Sequence, residues 1–177
     1  MDKRLRQRIL AHLESQHGSR EAGNIMRLLA DHLAQLPGGS QEFLLKAAEQ
    51  LEQGLPVQYV TGTAWFYGRP FIVTRDVLIP RPETEEIVHW ILSDIRQAAV
   101  APLRGIDIGT GSGCIALTLK LEHPGLMMEA VDVSPGAIDV AQRNADHLEA
   151  SIELRTRDFL STGFSLNGRY DVIVSNP

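Results

Sequence analysis

The chain has 177 residues, 44% of them hydrophobic, with a formal net charge of −5 and a pI near 5.7. That length can bury a core in one or two domains, and the acidic balance counts against nucleic-acid binding through bulk phosphate neutralisation. A single cysteine excludes an internal disulfide, Met1-Asp2-Lys3-Arg4-Leu5-Arg6 lacks the apolar core of a signal peptide, and no stretch approaches the ~20 apolar residues of a membrane span. The expectation is a cytoplasmic monomer, off the membrane, acting on a protein or small molecule without direct nucleic-acid binding.

From Leu5 to about Leu51 the apolar residues recur at helical spacing: Leu5, Ile9, Leu10 and Leu13, then Ile25, Leu28, Leu29, Leu33 and Leu36, then Phe43, Leu44, Ala47 and Leu51. Three short helices are predicted. Pro37-Gly38-Gly39 separates the second from the third, Ser40 is placed as an N-cap, and Gly54-Leu55-Pro56 closes the third. Residues 1–56 therefore read as a small helical domain. Residues 57–80 read as a linker and hairpin, with turns at Gly62, Gly68 and Pro70 and a strand at Phe71-Ile72-Val73.

At Ile79-Pro80-Arg81-Pro82-Glu83-Thr84-Glu85-Glu86 two prolines end any strand, and Pro82 suits the first position of a helix whose glutamates complement its dipole. That helix is predicted to run to about Ala98, with Ile87, Ile91 and Ile95 stacked four apart on one face. Strand 104–108, helix 113–121, strand 127–133, helix 135–148, strand 152–157 and strand 170–175 follow, with Ser134-Pro135 as a helix start. Such alternation predicts an α/β fold with a parallel, helix-covered sheet over residues 81–177.

Ligands of open α/β sheets gather at the carboxyl ends of the strands. After the first sheet strand, Asp107-Ile108-Gly109-Thr110-Gly111-Ser112-Gly113 lets the backbone approach a ligand and offers the amides of the next helix. Its Gly-x-Gly-x-Gly spacing, with Cys114 where a dinucleotide fingerprint would continue, favours S-adenosylmethionine over NAD. The competing reading is a turn that only packs strand on helix. Asp132, about 20 residues beyond the glycines, is assigned to a ribose diol, the competing role being a helix cap. Asp158 and Phe159 are assigned to the adenine amine and ring, against ordinary turn chemistry.

The last strand delivers Asn176-Pro177. An amide nitrogen is a poor nucleophile, so a catalyst should hold its N–H bonds in acceptors and aim its lone pair at the methyl; the Asn176 side-chain carbonyl and the Pro177 backbone carbonyl are the candidates. Asn176 is also placed beside the cofactor. With these residues in view, the chain resembles the HemK/PrmC family of release factor N5-glutamine methyltransferases. The motifs are Leu78-Ile79-Pro80-Arg81-Pro82-Glu83-Thr84-Glu85, the glycine loop, Ala130-Val131-Asp132 and Val174-Ser175-Asn176-Pro177.

The resemblance implies a Rossmann-like S-adenosylmethionine-dependent methyltransferase domain after a helical domain that helps hold the substrate. It implies that the loop from Gly109 to Gly113 and Asp132 bind the cofactor, that Phe159 lies by the adenine, and that the loop from Asn176 binds the glutamine of a release factor's Gly-Gly-Gln motif. Arg81 and Glu85 would organise a cover over the site. The family's second proline and tyrosine after Asn-Pro do not occur, so the chain is expected to be an incomplete, inactive part of a longer enzyme whose sheet stops after its fourth strand.

Three other readings stand beside this one: an Asn-Pro methyltransferase of adenine in DNA or guanine in ribosomal RNA, a nicotinamide-dependent dehydrogenase, and a non-catalytic binding module. Cys114 reads as a core residue, Trp65 and Trp90 as packing, Glu129 as a solvated or strand-end residue, and Arg4, Arg6 and Arg8 as a solvated helix face. The six histidines show no metal-ligand spacing, and no metal is expected.

Overall fold

The helical spacing at the start of the chain produces α1 (Lys3–Gln35), broken at Gly18, where φ 78° and ψ 162° are accessible essentially to glycine alone. The chain is seen here in a computed structural model that describes residues 3–36, 41–97, 103–162, 166 and 168–176. The Pro37-Gly38-Gly39 break, the Ser40 cap and Pro177 lie outside the described residues. Contacts divide the chain into two units, Met1–Gly62 and Thr63–Pro177.

In the first unit, α1 packs with α2 (Gln41–Glu52) and the short α3 (Val57–Thr61) around Ile9, Leu13, Leu29, Ala47 and Leu51, all nearly or fully buried. The helix at Val57–Thr61 replaces the start of the predicted linker; its single turn ends on Gly62 in the left-handed conformation. Arg8 is not simply solvated: its guanidinium forks onto Glu52, Nε to Oε1 at 2.7 Å and Nη2 to Oε2 at 2.8 Å. Bidentate geometry makes this a better surface pair than most, though an exposed one.

The second unit opens with an antiparallel hairpin, β1 (Thr63–Phe66) and β2 (Arg69–Ile72), joined by Tyr67 and Gly68, both at positive φ. A tyrosine in that conformation is uncommon. Glu85 offsets the cost by accepting the Tyr67 backbone N–H at 2.8 Å, which gives that glutamate a defined role in holding the turn. Phe66 and Phe71 pack edge to face at 6.0 Å in the core beneath.

Then come α4 (Pro82–Gln97), β3 (Arg104–Ile108), α5 (Cys114–Glu122), β4 (Met127–Asp132), α6 (Pro135–His147), β5 (Glu153–Thr156) and β6 (Val172–Ser175). All four of these strands are parallel, in the order β5-β4-β3-β6. The buried stripe of α4 is Thr84, Val88, Leu92 and Ile95, so Ile87 and Ile91 flank the core rather than form its centre. The start of α6 follows its sequence signal: Ser134 Oγ accepts the Ala137 N–H at 3.2 Å, with Pro135 in the first turn.

Trp65 and Trp90 do not pack; each is 63% exposed. Glu129 is not solvated either. It is 6% exposed, takes an O–H from Tyr170 at 2.6 Å and pairs with Arg155 at 3.3 Å. Burial and Glu129 together push the Tyr170 phenol up from its ordinary value.

Candidate active site

The strand order places the site. The chain moves outward from β3 through β4 to β5 and then returns to the other side of β3 as β6, so the crevice at the order reversal lies beyond the carboxyl ends of β3 and β6. Ile108 pairs with Ser175, so the glycine loop and Asn176 leave the sheet side by side. The Ser175 hydroxyl donates to the Ile108 carbonyl at 2.8 Å and fixes the two strand ends together.

The glycine loop is held from β4. The Gly109 and Thr110 amides both donate to Val131 O, at 2.9 and 3.0 Å, and the Gly111 amide donates to Asp132 Oδ2 at 2.9 Å. Gly109, Gly111 and Gly113 all have positive φ. At Gly113 a side chain is disfavoured twice over: φ is 78°, and a Cβ would lie 3.0 Å from Leu117 Cδ1 and 3.2 Å from Ala141 Cβ, so those side chains would have to give way. At Gly111 the space a Cβ would take is open.

Asn144 on α6, fully buried, ties this loop to the hairpin. Its Nδ2 donates to Ser112 O and Ile72 O, both at 2.9 Å, while its Oδ1 accepts the Ile72 N–H at 2.6 Å. The side-chain amide thereby completes the backbone of β2 as a neighbouring strand would. Neither Asn144 nor Thr84 was singled out from sequence, and the only sequence signal for Asn144 is a polar residue on the apolar side of a helix, next to Ala141 and Ala145.

Asp107 is wholly buried in β3 and accepts the Thr110 hydroxyl through Oδ2 at 2.7 Å. Burial raises its pKa from the ordinary 3.8 to about 6; the Thr110 hydroxyl and the Ala116 amide oppose the rise, and Asp132 adds to it. The folded chain therefore holds this proton more tightly than the unfolded chain. A carboxyl whose folded pKa is raised costs nothing once protonated, so its penalty is absent below about pH 4 and grows as pH climbs towards 6, reaching roughly 3 kcal/mol. Asp107→Asn should remove that slope and be the more stable protein above pH 6; urea unfolding of both from pH 4 to 7 measures it, and parallel curves would refute it.

Asp132 sits at the end of β4 with both oxygens engaged, Oδ2 by Gly111 and Oδ1 by the Ser134 amide at 2.9 Å. Each oxygen retains a further lone pair. Asp158 is exposed, and its Oδ1 accepts the Leu160 N–H at 2.9 Å, which is turn chemistry; Phe159 beside it is 39% exposed. Cys114, at the start of α5, is 9% exposed, and burial pushes its thiol up to about 12, so it is a core residue and no nucleophile. Thr110 and Ser112 are buried in the loop. Among the described residues no group of His, Cys, Asp and Glu side chains could hold a metal ion.

Asn176, at the end of β6, donates from Nδ2 to Thr84 Oγ1 at 2.9 Å. Thr84 stands in the first turn of α4 and is 6% exposed. The bond engages one of the two hydrogens on Nδ2, and Oδ1 is the acceptor of the same amide. The structure thus brings Asp107, the glycine loop, Asp132 and Asn176 to one edge of the sheet, with Asp158 and Phe159 just after β5, which neighbours β4 and lies two strands from β3 and three from β6.

Comparison with known proteins agrees with the fold. The family model described as Methyltransferase small domain matches residues 90–177. Among solved structures, a Pyrococcus abyssi tRNA (uracil-54, C5)-methyltransferase in complex with S-adenosyl-L-homocysteine is similar with a TM-score of 0.50 and 18% identity, over 65% of this chain and 28% of that one. The human methyltransferase 10 domain containing protein is similar with a TM-score of 0.51 and 24% identity, over 63% and 54% of the two chains. Both likenesses concern the fold: a Rossmann-like methyltransferase sheet.

Sequence likeness goes further. The release factor glutamine methyltransferase of Bacillus subtilis is 45% identical over 131 residues, 73% of this chain and 46% of that protein. That of Koribacter versatilis is 48% identical over 126 residues, 70% and 43% of the two, and that of Chlorobaculum tepidum is 42% identical over 159 residues, 86% and 54%. The chain spans about half the length of these curated relatives. Over the residues matched, the chain belongs to the family of release factor glutamine methyltransferases.

Proposed function

We propose that the protein transfers a methyl group from S-adenosylmethionine to the side-chain amide nitrogen, N5, of the glutamine in the Gly-Gly-Gln motif of peptide chain release factors. The observation that carries this reading is the place of Asn176: at the end of β6 beside the glycine loop, its side-chain amide is tethered to Thr84 and carries a carbonyl able to accept an N–H from a substrate amide. The names of the curated relatives point to the same substrate. In this reading residues 1–56 help to hold the protein substrate, 57–80 connect, and 81–177 carry the cofactor and the acceptors.

The residues at the carboxyl edge of the sheet fit S-adenosylmethionine. Two buried polar atoms there, Asp107 Oδ1 and Ser112 Oγ, have no hydrogen-bond partner, and Gly111 leaves open space beside the loop. The amides opening α5 suit the carboxylate of the cofactor, the spare lone pairs of Asp132 suit its ribose diol, and Asp158 with Phe159 suit its adenine. When bound, the cofactor supplies an electrophilic methyl on a positively charged sulfur.

The chain's own contribution is alignment. Asn176 Oδ1 takes one N–H of the glutamine amide and the Pro177 carbonyl is assigned the other, which holds the amide plane and leaves its lone-pair face free. No strong base is needed, because the proton becomes acidic only as the nitrogen is alkylated. Mass spectrometry tests the reading: the protein at its natural length is incubated with S-adenosylmethionine and a release factor, beside a factor whose Gly-Gly-Gln glutamine is glutamate. One added methyl on that glutamine, absent from the control, is expected. Labelled methyl entering nucleic acid instead would overturn the substrate and keep the methyltransferase.

A further inference from the structure

We infer that Asn144 is a positioning residue for the glycine loop, through which the hairpin of β1 and β2 and the proposed cofactor site hold one another in place; this rests on the reading of that loop as the one that meets S-adenosylmethionine. The side chain is fully buried on α6. Its orientation is dictated by its partners. The Ile72 N–H can only donate and the carbonyls of Ile72 and Ser112 can only accept, so Oδ1 faces the first, at 2.6 Å, and Nδ2 the other two, each at 2.9 Å. Turned over, the amide would set an oxygen against two carbonyls and a donor against a donor.

The reach to Ser112 depends on how closely α6 approaches the loop. A Cβ at Gly113 would lie 3.2 Å from Ala141 Cβ, and Asn144 follows Ala141 by three residues, on the same face of the helix. Nδ2 takes the Ser112 carbonyl, while the Gly113 N–H donates to Thr110 O at 2.9 Å. The peptide unit between Ser112 and Gly113 is thereby gripped at both ends, directly before α5 opens at Cys114. Gly109, Thr110 and Gly111 are held from β4, and Asn144 holds the far end of the loop.

On the hairpin side, Ile72 pairs with Thr63 in register, and its N–H and C=O both go to Asn144. Two four-residue strands are marginal by themselves, so the contacts that fasten them set their order. Glu85 fastens the turn at Tyr67, Arg69 pairs with Glu122 at 2.6 Å, and Asn144 fastens the end at Ile72. Asn144 also bonds the glycine loop, so order gained there on binding a ligand passes to Ile72 through one side chain. The linkage is reciprocal, and a loosened tie weakens the ligand by the same factor.

The test reads amide exchange residue by residue, and affinity for S-adenosylhomocysteine, in the protein at its natural length. In the wild type the ligand should slow exchange at Ile72 about tenfold and leave Tyr67, held by Glu85, within about twofold. Absence of selective slowing at Ile72 would overturn the proposal without any variant. Asn144→Ala is then compared with Val140→Ala, which opens a cavity in the same helix. In Asn144→Ala the ligand should bind about tenfold more weakly, and Gly113 should exchange faster in the ligand-free protein, whereas Val140→Ala should match the wild type in both. Equal affinity in the wild type and Asn144→Ala, equal weakening in the two variants, or unchanged exchange at Gly113 would overturn the role of Asn144 and leave the cofactor reading standing. A wild type that binds no S-adenosylhomocysteine would overturn that reading, and this inference with it.

Discussion

Asn176→Ala should abolish methyl transfer, with a fall in kcat of about a thousandfold or more, while cofactor affinity changes by no more than a few fold. The size follows from the kind of reaction. An amide lone pair is delocalised into its carbonyl, so little chemistry is available to the protein beyond holding the nitrogen in line with the methyl. Placement of reacting groups is where factors of this order arise, and removal of a single preorganised polar partner in other enzymes costs two to three powers of ten. Alanine at this position removes the proposed acceptor and also releases Thr84, so the loop loses its tie to α4 together with the substrate contact proposed for it.

The two readouts in that experiment separate two meanings of the same side chain. The Gly111–Asp132 bond and the Val131 contacts that shape the glycine loop come from β4, and none of them involves Asn176. Cofactor affinity, measured by calorimetry with S-adenosylmethionine or its demethylated product, should therefore persist. If affinity and transfer fell together, Asn176 would be part of the cofactor site first, and its role as the amide acceptor would have to be given up.

Which parts of this molecule were legible in its sequence depended on the range of the interaction. The α/β half was read nearly strand by strand, because an apolar run between turn residues is a local signal: β3 has the predicted bounds, and Ser134-Pro135 opens α6. The glycine loop and the acid at the end of β4 were legible for the same reason. The helix at Val57–Thr61 was missed because one turn is too short to show a period. The isoleucines Ile87, Ile91 and Ile95 marked an apolar face of α4 without its centre, Val88 and Leu92, because the two rows differ by less than the width of such a face.

Long-range polar contacts were not legible. Glu129 looked solvated because glutamate usually is, and its partners Arg155 and Tyr170 arrive from β5 and from the segment before β6. Asn144 and Thr84 act on backbone and side chain 72 and 92 residues distant. A polar residue among helical alanines and a threonine among glutamates carry no period and no motif. Only the fold reveals what they hold.

The second large effect is expected at Asp132, where Asp132→Ala should weaken cofactor binding by about a hundredfold or more and Asp132→Asn by less. The carboxylate already accepts the Gly111 and Ser134 amides, so alanine would strip two bonds from the free protein before any ligand is considered. Gly111 belongs to the loop proposed to meet the cofactor, and its amide would lose the acceptor that orients it. On the proposed reading the bound state adds the two hydroxyls of a ribose diol, and a hydrogen bond to a charged group contributes about 1.5–3 kcal/mol, so two of them alone account for a hundredfold. Asparagine keeps one oxygen, which can serve either the loop or a hydroxyl but has no charge, hence the intermediate loss. A third observable distinguishes a ligand role from a loop role: with 2′-deoxy cofactor the wild type should already bind weakly, and Asp132→Ala should weaken it little further. If instead Asp132→Ala cost the same factor with the deoxy compound, the aspartate would act through the Gly111 amide alone and the ribose would be gripped elsewhere.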